Sequence, residues 1–181
     1  DLIYSLSPLG TGIAAALVGK PLVVRVAGDR AWEDAAVSGK TILMIDDFQK
    51  EKKRGFKHKL QVWVCKRAKT VIVPSKYLAG IVEGWGIGPE KLMIVPNAVA
   101  VNPLASNLAV SPLKIHGTLI VSVGRLVPWK GFRMLIKMMP QILEINQFFR
   151  LVIVGDGPDM PKLQAMVKNL NLQNKVYLFQ T

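Results

Sequence analysis

The chain has 181 residues, half of them apolar, and carries 24 Lys plus Arg against 12 Asp plus Glu, a formal net charge of +12. That length and apolar content exclude a disordered or fibrous chain and give material for one good core or parts of two. The positive balance favours anionic partners. The single cysteine, Cys65, excludes an internal disulfide, and no uninterrupted apolar run approaches the roughly 18 residues of a membrane span.

Leu2 to Leu6 reads as a strand, Ser7 to Gly12 as a turn, and Ile13 to Gly19 as an Ala-rich helix closed by Gly19 and Pro21. Leu22 to Val26 is the next strand, so the start of the chain is a parallel strand-helix-strand unit. Ala27-Gly28-Asp29-Arg30 lies at the C-terminal end of that strand, where parallel sheets bind ligands. Asp29 is therefore a candidate for chemistry, with a solvated turn aspartate or a helix N-cap as the alternatives.

Residues 49 to 70 concentrate the charge: Lys50, Lys52, Lys53, Arg54, Lys57, Lys59, Lys66, Arg67 and Lys69 face Glu51 alone. Leu60, Val64 and Ala68 recur every four residues, which predicts an amphipathic helix with one face on the core. Its basic face is either simply solvated or docks on an anionic membrane or acidic acceptor. Nucleic acid is not expected, because only Phe56 and Trp63 are interspersed with the cations. Cys65, within Val62-Trp63-Val64-Cys65, reads as a packing thiol.

Thr70 to Val73 is a strand, Ser75 an N-cap, and Tyr77, Leu78, Ile81, Val82 and Trp85 the core face of a helix. Leu92 to Val95 is a further strand. The Pro-, Asn- and Ser-rich stretch that begins at Pro96-Asn97 and runs to Gly117 is the best domain boundary, giving predicted domains 1–108 and 109–181.

Thr118 to Val123 is apolar and β-branched enough for a strand covered on both faces. Gly124 then turns the chain, and Arg125 and Lys130 follow as a candidate diphosphate clamp, with Gly131 next. A helix from Phe132 to Gln147 contains Pro140, which should kink or split it. Met134, Met138 and Met139 read as core filling. Leu151 to Val154 is another strand, Gly155-Asp156-Gly157-Pro158 its exit turn, and a helix through Leu163 and Val167 leads to a last strand at Val176 to Phe179. The chain begins at Asp1 directly on a strand and stops just after another, so a window on a longer protein is expected.

Gly131 stands where a nucleotide triphosphatase loop needs Ser or Thr, and Gly155-Asp156-Gly157 lacks the third glycine of a dinucleotide motif. Two turns remain, one cationic and one glycine-rich, at the ends of successive strands. Side by side they would suit an activated sugar, its diphosphate held by cations and its nucleoside laid against bare backbone; the alternative is ordinary surface cations beside an ordinary turn. No metal constellation is evident: His58 and His116 lie in a lysine run and a linker, and Asp46-Asp47 has no third ligand at suitable spacing.

Gly124-Arg125-Leu126 with Lys130-Gly131, then Val154-Gly155-Asp156-Gly157-Pro158, with Val73-Pro74-Ser75 and Val95-Pro96-Asn97 upstream, resembles family 4 of the nucleotide-sugar glycosyltransferases, also called group 1. The resemblance implies an α/β, GT-B fold of two Rossmann-like domains with parallel sheets, both incomplete in this chain. It implies a retaining, metal-independent, hexosyltransferase-like enzyme, with a nucleotide-sugar donor as substrate and no cofactor. Gly124, Arg125, Lys130 and Gly131 would hold the donor diphosphate, and Gly155, Asp156 and Gly157 the nucleoside side.

Three departures stand beside it. The family's usual cleft histidine falls at Ala27, which leaves the catalytic residue unknown, with Asp29 and Glu33 as nearby carboxylates. A glycine-rich acceptor-side loop is expected before Asp1, and a donor-binding glutamate pair after Thr181, so the chain alone is expected to be inactive. The acceptor expected is lipid-linked or polysaccharide, and the location the cytoplasm or the inner membrane face with residues 50–69 against anionic lipid. The competing expectation is a non-enzymatic phosphate-binding module that docks on an anionic surface or nucleic acid.

Overall fold

The structure, a computed structural model, describes residues 1–52, 54–99 and 115–180. It divides into two compact units, Asp1–Val101 and Asn102–Thr181. The predicted boundary at 108/109 lies outside the described residues.

The first unit holds β1 (Ile3–Ser5), α1 (Thr11–Leu17), β2 (Leu22–Arg25), α2 (Arg30–Val37), α3 (Ile45–Lys50), α4 (Gly55–Arg67), β3 (Thr70–Val73), α5 (Lys76–Glu83) and β4 (Leu92–Ile94). All strand pairs are parallel, in the order β1-β2-β3-β4. When each strand is added on the same side through a right-handed crossover, the helices fall on one face of the sheet. Leu22, Val24, Val71 and Val73 accordingly pack with Ala15, Ala16, Val64, Cys65, Ala68, Ile81 and Val82 in one core. On the opposite face Tyr4 and Met93 are exposed.

The second unit repeats the plan with β5 (Thr118–Val123), α6 (Phe132–Ile145), β6 (Phe149–Val154), α7 (Met160–Asn169) and β7 (Val176–Phe179), in a parallel sheet β5-β6-β7. Ile120, Leu151, Ile153, Val176 and Leu178 meet Phe132, Ile136, Met139, Leu143, Leu163 and Val167. The expectation that Thr118 to Val123 is covered on both faces is not met. This strand lies at the sheet edge, and its alternate residues Leu119, Val121 and Val123 are exposed, Val123 at 70%.

Three further expectations are narrowed or corrected. Pro140 sits inside α6 without splitting it: the residue is on the exposed side of the helix, where water can satisfy the carbonyl it leaves unbonded. Only Met139 of the three methionines fills the core, since Met134 and Met138 point outward. Tyr77 leaves the core face of α5 and donates its hydroxyl to Asp46 Oδ1 at 2.7 Å, while Leu78, Ala79, Ile81, Val82 and Trp85 are buried.

Candidate active site

β5 and β6 run in register to Val123 and Val154, so the two turns that follow them start side by side. Backbone hydrogen bonds then join them: Gly124 N donates to Val154 O at 3.0 Å, Leu126 N to Asp156 O at 2.7 Å, and Asp159 N to Leu126 O at 3.0 Å. A side chain would not fit between them. A Cβ on Gly155 would lie 2.0 Å from Gly124 O, and one on Gly157 2.3 Å from Leu126 O. Val123, Gly124, Arg125, Val154, Gly155 and Asp156 line a concavity of about 380 Å³ at these strand ends.

The structure thus brings together Gly124, Arg125, Gly155 and Asp156. Gly157 locks the second turn against Leu126. Lys130 and Gly131 stand apart from that lining: Lys130 ends a single 3₁₀ turn, Pro128–Lys130, and is exposed, and Gly131, at φ 78°, turns the chain into α6. The α6 N-terminus, with its positive dipole end, follows directly and suits an anionic group.

One support was not legible in the sequence. Arg133, in the first turn of α6, forks onto buried Asp159, Nε to Oδ2 at 3.0 Å and Nη2 to Oδ1 at 2.6 Å. It ties the helix that follows the cationic turn to the end of the glycine-rich one. The charge pattern Arg133 to Asp159, 26 residues apart, gave no local signal.

In the first unit Asp29 is fully buried, and so is no solvated turn residue. It caps α2 by accepting from Trp32 N at 3.1 Å, and it accepts from Gln61 Nε2 at 2.7 Å and from Gln49 Nε2 at 2.8 Å. Gln61 Oε1 accepts from Ala31 N, while Gln49 Oε1 accepts from Arg54 Nη1 and Trp85 Nε1, each at 3.0 Å. The carboxylate is a buried fastening among α2, α3 and α4. His58 belongs to the same cluster, with Nδ1 3.3 Å from Gln61 Nε2 and its ring edge-on to Trp85. Burial, then the Arg54 charge, hold His58 below its usual value. Ala27 is exposed beside this cluster, and Glu33 and Asp34 flank Arg30, which reaches Asp34 at 3.1 Å. Among the described residues no three His, Cys, Asp or Glu side chains gather as a metal site.

Comparison with known proteins gives this geometry its context. Residues 108–181 match the glycosyl transferases group 1 family, and residues 1–102 match glycosyltransferase family 4. The chain belongs to glycosyltransferase family 4. Among curated members it is 32% identical over 121 residues to an uncharacterised glycosyltransferase of Methanocaldococcus jannaschii, covering 62% of this chain and 30% of that one. It is 32% identical over 101 residues to the N-acetylgalactosamine-N,N'-diacetylbacillosaminyl-diphospho-undecaprenol 4-alpha-N-acetylgalactosaminyltransferase of Campylobacter jejuni, covering 56% of this chain and 27% of that one. The chain therefore spans about a third or less of the curated relatives it matches.

The fold is that of solved GT-B glycosyltransferases. The structure of Anabaena HepE in complex with UDP-glucose aligns with a TM-score of 0.65 at 21% identity, over 99% of this chain and 48% of that one. Staphylococcus aureus TarM aligns at 0.60 and 16% identity, over 95% and 32%. Both units of this family 4 chain carry the parallel α/β plan of that fold. No helix among its described residues is long and apolar enough to cross a membrane.

Proposed function

We propose that this family 4 protein transfers a hexose from a nucleotide-diphosphate donor to an acceptor hydroxyl with retention at the anomeric carbon and without a metal. The supporting observation is the fused pair of turns at the ends of β5 and β6, with Arg125 on one and side-chain-free backbone on the other. The bond from the anomeric carbon to the diphosphate breaks, one to the acceptor oxygen forms, and the acceptor proton passes to the leaving diphosphate. Negative charge grows on that diphosphate, so cations at Arg125 and Lys130 lower the barrier more than they stabilise the bound ground state. Gly155 and Gly157 let the two turns close on each other, and the nucleoside lies against the concavity they form. No cofactor takes part.

The acceptor is lipid-linked or a polysaccharide, and the protein works in the cytoplasm or at the inner face of the membrane, with the basic stretch 50–69 toward anionic lipid. In the intact protein, Arg125→Ala and Lys130→Ala should each lower turnover of a UDP- or GDP-sugar by about 100-fold, the effect of losing one preorganised donor. Turnover should persist in EDTA. Unchanged turnover in both variants would remove the clamp from the mechanism. The 181-residue chain, which spans about 30% of its relatives, should transfer no sugar by itself, and measurable transfer would contradict that.

A further inference from the structure

The crossover from β2 to β3 carries a surface that sugar transfer does not itself require. Lys69 N, just after α4, donates to Leu22 O at the start of β2, whereas His58 and Gln61 near the other end of α4 join Asp29, beyond the end of β2. The helix therefore runs antiparallel to the strand, and its N-terminal end stands where the strands finish, the side on which parallel sheets present ligands. At that end Lys52, Arg54, Gly55, Phe56, His58 and Lys59 line a concavity of about 500 Å³.

Its chemistry is polarised. Arg54 is held in place by Gln49 Oε1. Lys50 and Lys57 are neutralised by Asp47 and Asp34, but among the described residues Lys52 and Lys59 have no carboxylate partner. Phe56, between them, leaves 73% of its surface in water. The same crossover exposes Ile42 and Met44. A basic rim about an exposed ring matches the boundary of an anionic bilayer, where phosphates lie above acyl chain. A nucleic-acid strand would want successive stacking platforms, and the concavity offers one exposed ring, since His58 is buried.

We infer that the corner between α3 and α4 docks on an anionic bilayer, with a lipid phosphate among Lys52, Arg54 and Lys59 and the Phe56 ring in the acyl boundary. The inference deepens the membrane-facing part of the proposed function and rests on it only for where transfer occurs. It would hold the strand-finishing end of the first unit against the surface from which a lipid-linked acceptor is taken.

The test is co-sedimentation of the intact protein with phosphatidylcholine vesicles and with vesicles that also contain phosphatidylglycerol, at low and high salt. The protein should bind the anionic vesicles alone. Phe56→Ser should weaken that binding by roughly ten-fold at either salt, and Lys52→Glu with Lys59→Glu by more than roughly ten-fold, with loss of the salt dependence. Lys20→Glu, outside the stretch 50–69 and before the start of β2 at the opposite end of the strands, should leave binding unchanged, and all variants should melt as the parent does. Parental binding by both corner variants, equal binding to neutral vesicles, an equal loss with Lys20→Glu, or displacement of the vesicles by a single-stranded oligonucleotide would each overturn the inference. No nucleotide sugar is present, so the outcome is separate from that of Arg125→Ala and Lys130→Ala.

Discussion

Leu126 bonds the glycine-rich turn with both ends of its peptide, giving its amide to Asp156 O at 2.7 Å and taking the Asp159 amide on its carbonyl at 3.0 Å. The cationic and glycine-rich turns therefore move as one body. A ligand bound to one is positioned by the other.

Gly155→Ala tests that union. The new Cβ would meet Gly124 O at 2.0 Å on a backbone at φ 151°, so the turns must separate. The expected loss is on the order of 3 kcal/mol of stability, measured by urea denaturation, together with loss of UDP or GDP binding by calorimetry. Full stability with normal nucleotide affinity would show that the turns need not touch.

Asp29 should behave as a fastening. Asp29→Ala removes the α2 cap, orphans the Gln49 amide and leaves that of Gln61 only His58 Nδ1, an expected loss of about 3 kcal/mol in denaturation. Asp29→Asn keeps a capping oxygen but sets an amide against Gln49 Nε2, so about 1–2 kcal/mol is expected. A catalytic base would give the opposite pattern: parental stability and a collapse of turnover in Asp29→Asn.

His58 should make the first unit acid-sensitive. Its folded-state value lies below the usual 6.5 because burial and the Arg54 charge disfavour the cation, with Asp29 partly opposing them. The unfolded chain therefore binds the proton more readily, and stability is retained above that usual value and lost as pH falls through the folded one. The neutral ring also accepts from Gln61, which the charged ring cannot do. Urea midpoints should drop between neutral and mildly acidic pH, and His58→Gln should flatten the drop; an equal drop in the variant would assign it elsewhere.

Cys65 is buried in the core, and burial raises its thiol to about 12. A thiol reagent at mildly alkaline pH should leave it untouched until denaturant is added. Rapid labelling of the native protein would contradict the packing seen here.

The alternation of strands and helices was legible because the buried strand runs Leu22 to Val26, Thr70 to Val73 and Leu151 to Val154 differ so plainly from the helical spacing at Leu163 and Val167. The paired glycine turns were legible from their position after two such runs. The helices α2 and α3 were not, since each is short and α3 buries only Phe48. The face of α4 was legible only in part, through Val64 and Ala68, for a related reason. Leu60 is only half-buried, and the inward stripe is His58, Gln61, Val64, Cys65 and Ala68. Polar residues turned inward defeat a hydrophobic periodicity, and what satisfies them, Asp29 and Trp85, lies far away in the chain.

That inward polar cluster also sets how the first unit would come apart. Ala31, Trp32 and Phe48 are buried but stand outside the main apolar core, which α3 meets through Ile45, so hydrogen bonds converging on Asp29 and Gln49 carry much of the hold on α2 and α3. Such bonds can be traded for water at small net free energy, whereas the valines of β2 and β3 cannot leave without global unfolding. The amides of α2 and α3 should exchange with deuterium together and early, as one opening unit, while the sheet beneath them keeps its protons.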